Sequence, residues 1–298
     1  MENIQQERHS WLKLTVLMLF LLAYGLLSVL GSGGDINLNL DDPNMINLLK
    51  VLQVVSVIII FILPAFLFAG LWTKARIGYL GITRKPAMGT LLLAGLGILL
   101  ATPMINWLGE MNQHMQLPHA FDHMQEWMKT SEDKAAKLTD AFTKGTSVGS
   151  LLSNLFVVAF MAALSEELFF RGIIQKVLIE CFKNKHVGVW VGAALFSAFH
   201  MQFFGFVPRM LMGAYLGYLF LWSGSLWPGI LAHFLNNGMQ VFLVWMMNRG
   251  SIPKGVDEIG SVNGEMIYVA VSAVMVLASL WLVHRLEQKK SPAKQDLA

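Results

Sequence analysis

Apolar runs of about twenty residues decide what this chain can fold into. They lie near residues 12–30, 48–71, 88–108, 149–170, 188–204, 207–222, 226–247 and 265–284. Several of them reach the roughly 20 residues that an α-helix needs to cross a hydrocarbon core of about 30 Å, and the strong candidates are long rather than alternating. The expectation is an all-α, polytopic transmembrane bundle of about eight spans. Of the 298 residues, 55% are hydrophobic and only 14% charged, which excludes an ordinary soluble domain. The run at 12–30 exceeds the 7–15 apolar residues of a usual signal peptide, so it reads as a retained anchor.

Charge sets orientation. The net charge is only +3, and the bases cluster between apolar runs, a pattern that serves topology rather than nucleic acid, which is excluded as a partner. Lys74, Arg76, Arg84 and Lys85 crowd the second connection, whereas Asp35, Asp41 and Asp42 occupy the first. The positive-inside rule then makes the second connection cytoplasmic, and alternation places Arg171, Lys176, Lys183 and Lys185 inside, with the tail bases Arg285, Lys289, Lys290 and Lys294. The prediction is a multi-pass protein of the plasma (inner) membrane with both termini in the cytoplasm. Cys181 is the single cysteine, so no intrachain disulfide is possible.

Three regions follow: 1–148, with N-terminal spans and an external amphipathic loop; 149–247, the core helices; and 248–298, the last span and a basic cytoplasmic tail. In the loop from Glu110 to Val148, Phe121, Met124, Trp127 and Met128 recur at helical spacing and suit a lip at the membrane surface. Ser131, followed by Glu132 and Asp133, predicts the N-cap of a second helix running through Leu138 to Phe142. His119 and His123 stand four apart with no third metal ligand nearby and read as a solvated pair.

The chemistry concentrates in the core. The run Ala163-Leu164-Ser165-Glu166-Glu167-Leu168-Phe169-Phe170-Arg171 sets two carboxylates and a guanidinium in an apolar helix. Each such group costs about 2.5–3.5 kcal/mol at a span centre, so it faces the bundle interior and finds partners. Glu167 and Arg171 stand four apart in the favourable order for an ion pair, while Glu166 points about 100° away around the helix. One carboxylate is held and the other left available. Pairing of both glutamates with Arg171 at a cytoplasmic helix end is the bland alternative.

Two further motifs argue against it. Phe196 precedes His200 by one turn inside an apolar run, and His233 shares a helical face with Asn237. Interhelical hydrogen bonding explains one such residue, but not a set on three helices. Together they supply a base, a water-orienting imidazole and oxyanion donors, the parts needed to hydrolyse an amide.

The order Glu-Glu-x-x-x-Arg, Phe-x-x-x-His, His-x-x-x-Asn resembles the CAAX prenyl protease and bacteriocin-processing family over roughly residues 149–240. The resemblance implies that Glu166 activates water with help from His200, that His233 and Asn237 bind the developing oxyanion, and that Glu167 with Arg171 braces the helix. It implies an endopeptidase, often classed as a metalloprotease, acting on a membrane-associated peptide or protein, with lipidated CAAX-type substrates among its options. The cofactor stays open between zinc on His200, His233 and Glu166 and no metal, because the His-Glu-x-x-His arrangement of common zinc proteases is absent from the sequence. Two rivals remain: a proton-coupled transporter using the same groups as a relay, and a non-catalytic scaffold or bacteriocin-immunity factor.

Gly213 and Gly217 form a small-x-x-x-small face suited to close helix approach within the chain. Pro64 and Pro103 should kink their helices.

Overall fold

The computed structural model describes residues 10–19, 39–115, 117–253, 255 and 266–290, and among these no β-strand occurs. The helices are α1 (Ser10–Leu19), α2 (Pro43–Trp72), α3 (Arg76–Leu80), α4 (Met88–Leu100), α5 (Thr102–Gln113), α6 (Asp122–Thr143), α7 (Val148–Phe182), α8 (Lys185–Phe199), α9 (Phe206–Ser223), α10 (Trp227–Asn248) and α11 (Met266–Lys290). The expected polytopic helical bundle is the observed one. Among the described residues, five helices are long and apolar enough to cross a membrane, or six if the bent pair α4–α5 is one span. Of the other expected spans, 188–204 became the 15-residue α8, and 12–30 lies largely outside the described residues.

The two prolines act differently. Pro103 follows a 44° bend between α4 and α5. Pro64 leaves α2 unbroken, because the π-helical turn Ile58–Ile62 just before it absorbs the missing N–H and the ring's clash with the preceding turn.

Several boundaries move. α7 runs twelve residues past the expected end at 170, through two π-helical stretches, Leu155–Met161 and Phe170–Ile174. α8 stops at Phe199 because Met201 adopts a left-handed conformation (φ 54°), which leaves His200 as the C-cap rather than an interior residue. α11 extends to Lys290. The second helix expected from Ser131 is not a separate element: Ser131 lies inside α6, whose 22 residues contain neither glycine nor proline to break them.

Packing of the core follows from small residues and buried polar pairs. A Cβ on Gly213 would meet Phe196 Cδ1 at 3.1 Å, and one on Gly217 would meet Gln175 Oε1 at 2.9 Å. Their bare carbonyls therefore lie open to α7, where Arg171 donates to Gly213 O (2.9 Å) and Gln175 to Gly217 O (3.0 Å). The glycine face works within the chain, as its spacing suggested. At the periphery, the buried Glu287 accepts from Ala87 N (3.0 Å) and Thr90 Oγ1 (2.6 Å), placing a carboxylate at the N-terminus of α4. The exposed faces of α2 and α11 carry Val51, Val55, Ile59, Val274 and Leu277, as lipid-facing helices require.

Candidate active site

Glu166 lies in the regular stretch Ala162–Phe169 of α7, between the two π-helical stretches. Each π turn widens the helix by a residue and shifts the register of side chains beyond it, a device frequent at functional sites. Within the regular stretch the neighbouring carboxylates stand about 100° apart around the helix and so meet different surroundings.

Glu167 is fully buried, with Oε1 2.8 Å from Arg171 NH1 and 3.2 Å from His233 Nδ1. A side chain on Gly229 would fill the space it occupies, since a Cβ there would stand 2.7 Å from Glu167 Oε2. Arg171 is covered on its other side by Phe196, whose ring centroid is 4.6 Å from the guanidinium carbon. Phe196 also meets the rings of His200 (5.0 Å) and His233 (5.9 Å) edge-on, so one buried aromatic packs against the guanidinium and both imidazoles.

Glu166 is held differently. Its Oε2 is buried with no hydrogen-bond partner and lies 3.8 Å from both His200 Nε2 and His233 Nε2. Each imidazole is oriented from its far side, His200 by Nδ1 donating to Phe196 O (2.9 Å) and His233 by Nδ1 donating to Glu167 (3.2 Å). Those partners are hydrogen-bond acceptors, so they fix the Nδ1–H form and turn both Nε2 atoms towards one carboxylate oxygen. Separations of 3.8 Å exceed a direct hydrogen bond. A small polar molecule seated over the three atoms can bond to all of them.

These groups open into a cavity of about 390 Å³. From His233 it follows one face of α10 past Asn236, Asn237 and Gln240 to Val244, and Thr139, Asp140 and Thr143 of α6 contribute to its wall. Asn237 faces this space, its amide 3.5 Å from Val158 O and its Oδ1 accepting from Asn236 (3.1 Å). The predicted residues Glu166, His200, His233 and Asn237 thus share one cavity, and Glu167, Arg171 and Phe196 stand behind it. The fit to zinc is poor: tetrahedral ligands at 2.0–2.1 Å stand roughly 3.3 Å apart, closer than these donors. Among the described residues no three His, Cys, Asp or Glu side chains form a metal-holding group. His119 and His123 are both exposed, with His119 Nδ1 3.6 Å from Asp122.

Two residues not singled out in the sequence shape the site. Arg209 lines the cavity, bonded through both terminal nitrogens to Gln202 (3.1 Å to O and 2.7 Å to Oε1), and it makes no contact ion pair among the described residues. An arginine three residues into a predicted span was the available signal. Asn112 of α5 donates to Phe203 O (2.9 Å) and accepts from Val207 N (2.9 Å), clamping the turn that follows His200. Only folding reveals that role, because the partners are about ninety residues away in sequence.

A polytopic helical membrane protein with a buried glutamate–histidine centre is the class that fold and site define. Residues 148–239 match the family model described as type II CAAX prenyl endopeptidase Rce1-like, and this segment belongs to that family. The chain is 25% identical over 88 residues to "Uncharacterized protein YpbD" of Bacillus subtilis (strain 168). That alignment takes in 28% of this chain and 42% of YpbD, so the match spans less than half of the relative's length. No solved structure matches.

Proposed function

We propose that this protein is an intramembrane endopeptidase that hydrolyses a peptide bond of a membrane-associated protein or peptide by direct attack of water. The observation that carries the reading is the buried, unpartnered Glu166 Oε2, 3.8 Å from two imidazole nitrogens whose far sides are already engaged. A buried carboxylate oxygen without a partner is costly unless a ligand completes it.

A water over this triangle gives one proton to Glu166 while its oxygen attacks the scissile carbonyl carbon, and His200 Nε2 accepts its other O–H and fixes its direction. The oxygen of that carbonyl becomes an oxyanion. Asn237 donates to it from the cavity wall, and His233, held in place by Glu167 through Nδ1–H, flanks it. Glu166 returns its proton to the amine as the C–N bond breaks, leaving a carboxylic acid and an amine with no acyl-enzyme. No step passes through a metal.

The family match supports this chemistry, and the substrate class it suggests is a membrane-delivered, CAAX-type peptide, lipidated or not. The long apolar helices support placement in a membrane, and the basic residues between α2 and α4 support a cytoplasmic side for that connection. The decisive comparison is of membrane peptides from cells making wild-type protein and cells making correctly inserted Glu166→Gln or His200→Ala. Products present with wild type and missing from both variants are expected; undiminished processing by both variants would refute the mechanism.

A further inference from the structure

A second cavity, of about 300 Å³, lies away from the glutamate–histidine centre, between the start of α2 and the connection joining α6 to α7. Pro43, Ile46 and Asn47 from the first turns of α2 form one wall, and Gly145 of the connection and Ser150 in the first turn of α7 form another. Two long helices thus begin beside the cavity, α2 capped by Asp42 and α7 by Ser147. Lys50, Lys144 and one carboxylate, that of Asp41, also line the cavity.

Lys50 is the unusual member. It is only 7% exposed, and among the described residues it makes no hydrogen bond or ion pair; its ammonium lies 5.8 Å from the centroid of the Phe142 ring. The other buried charges are matched: Arg171 with Glu167 at 2.8 Å, and Glu287 with a backbone N–H and a hydroxyl. Lys144 is held by Asp41 at 3.0 Å, at the exposed rim. A lysine packed into the fold without a counter-anion is costly, and this one borders a space large enough for a ligand.

Depth identifies the anion. The 30 residues of α2 measure about 45 Å, close to the 40–45 Å of a bilayer with its headgroups. Lys50, seven residues in, sits about 10 Å from the helix start, near the boundary between headgroups and acyl chains. The anion always present at that level is the lipid phosphodiester.

We propose that this cavity binds the phosphodiester of a phospholipid, with Lys50 as its buried cation and the starts of α2 and α7 as supporting dipoles. The lipid tails run down the exposed apolar face of α2, where Val51 and Val55 lie. The site does not depend on the hydrolytic reading. Ala141 and Phe142 of α6 line this cavity, while Thr139, Asp140 and Thr143 line the other, so a bound lipid steadies a shared wall.

The test uses the full chain purified in a non-ionic detergent, with bound lipid read by native mass spectrometry. Short-chain phosphatidylglycerol, diacylglycerol of the same chain length and inorganic phosphate are each titrated into wild type, Lys50→Arg, Lys50→Leu and Asp35→Asn. One phosphatidylglycerol should bind wild type and Lys50→Arg, with affinity about tenfold lower in Lys50→Leu at an unchanged melting midpoint. Diacylglycerol should not bind. Equal lipid binding by wild type and Lys50→Leu overturns the site, and inorganic phosphate binding as tightly as the lipid overturns the lipid assignment. A wild type that binds no lipid, with Asp35→Asn lowering the midpoint as far as Lys50→Leu, overturns it in favour of an internal ion pair.

Discussion

Two faces of α7, one residue apart in sequence, are built on opposite principles. The face carrying Glu167, Arg171 and Gln175 is closed: each polar side chain is buried against a named partner, and the glycines at 213, 217 and 229 leave the space. The face carrying Glu166 is open, its carboxylate turned towards a cavity and two imidazoles without touching either. The difference teaches that in a low-dielectric interior a charge must be neutralised either within the fold or by what the fold binds. The closed face supplies stability and orientation, and the open face keeps a group for chemistry.

The largest test of this contrast is Glu166→Gln. It keeps the shape of the side chain and removes the base, so hydrolysis should fall by about 10²–10⁴-fold with no loss of thermal stability. A variant as active as wild type would erase the distinction between the faces. Arg171→Ala should do the reverse. Leaving Glu167 buried without its partner should cost roughly 3–5 kcal/mol, seen as a lowered melting midpoint in detergent, with activity lost through unfolding.

Asn237→Ala sharpens the open side. Loss of one oxyanion donor should lower kcat by about 10²–10³-fold at nearly constant KM, whereas a purely structural role would shift the midpoint instead. Gly229→Ala probes the closed side more gently: the added methyl meets Glu167 Oε2 at 2.7 Å, so stability should drop by about 1–3 kcal/mol. The smallest effect is expected from Trp127→Ala on α6, which removes an exposed ring tilted 51° against Phe203 at 5.7 Å; stability should change by less than about 1 kcal/mol.

Much of the core was legible because membrane helices obey a strict length rule and tolerate charge only for a reason. The four-residue step from Glu167 to Arg171 announced their pair, and the offset of Glu166 announced its independence. Other signals misled. Ser131 with Glu132 and Asp133 has the composition of a helix start, yet in the fold Glu132 accepts from Phe204 N at 3.2 Å and the helix passes straight through. The extension of α7 past residue 170 was hidden because Arg171 and Gln175 look like the polar end of a span until their carbonyl partners on α9 are known.

The sequence by itself determined that the chain is a helical membrane bundle, where its core helices lie and which residues carry the family's motifs, because hydropathy and helical spacing are local properties. Tertiary structure alone decided that two imidazoles converge on one oxygen of Glu166, that Asn112 and Arg209 frame the site, and that Lys50 is buried without an anion. Those facts depend on which helices become neighbours, and neighbours in space are set by packing of the whole bundle rather than by any segment read alone.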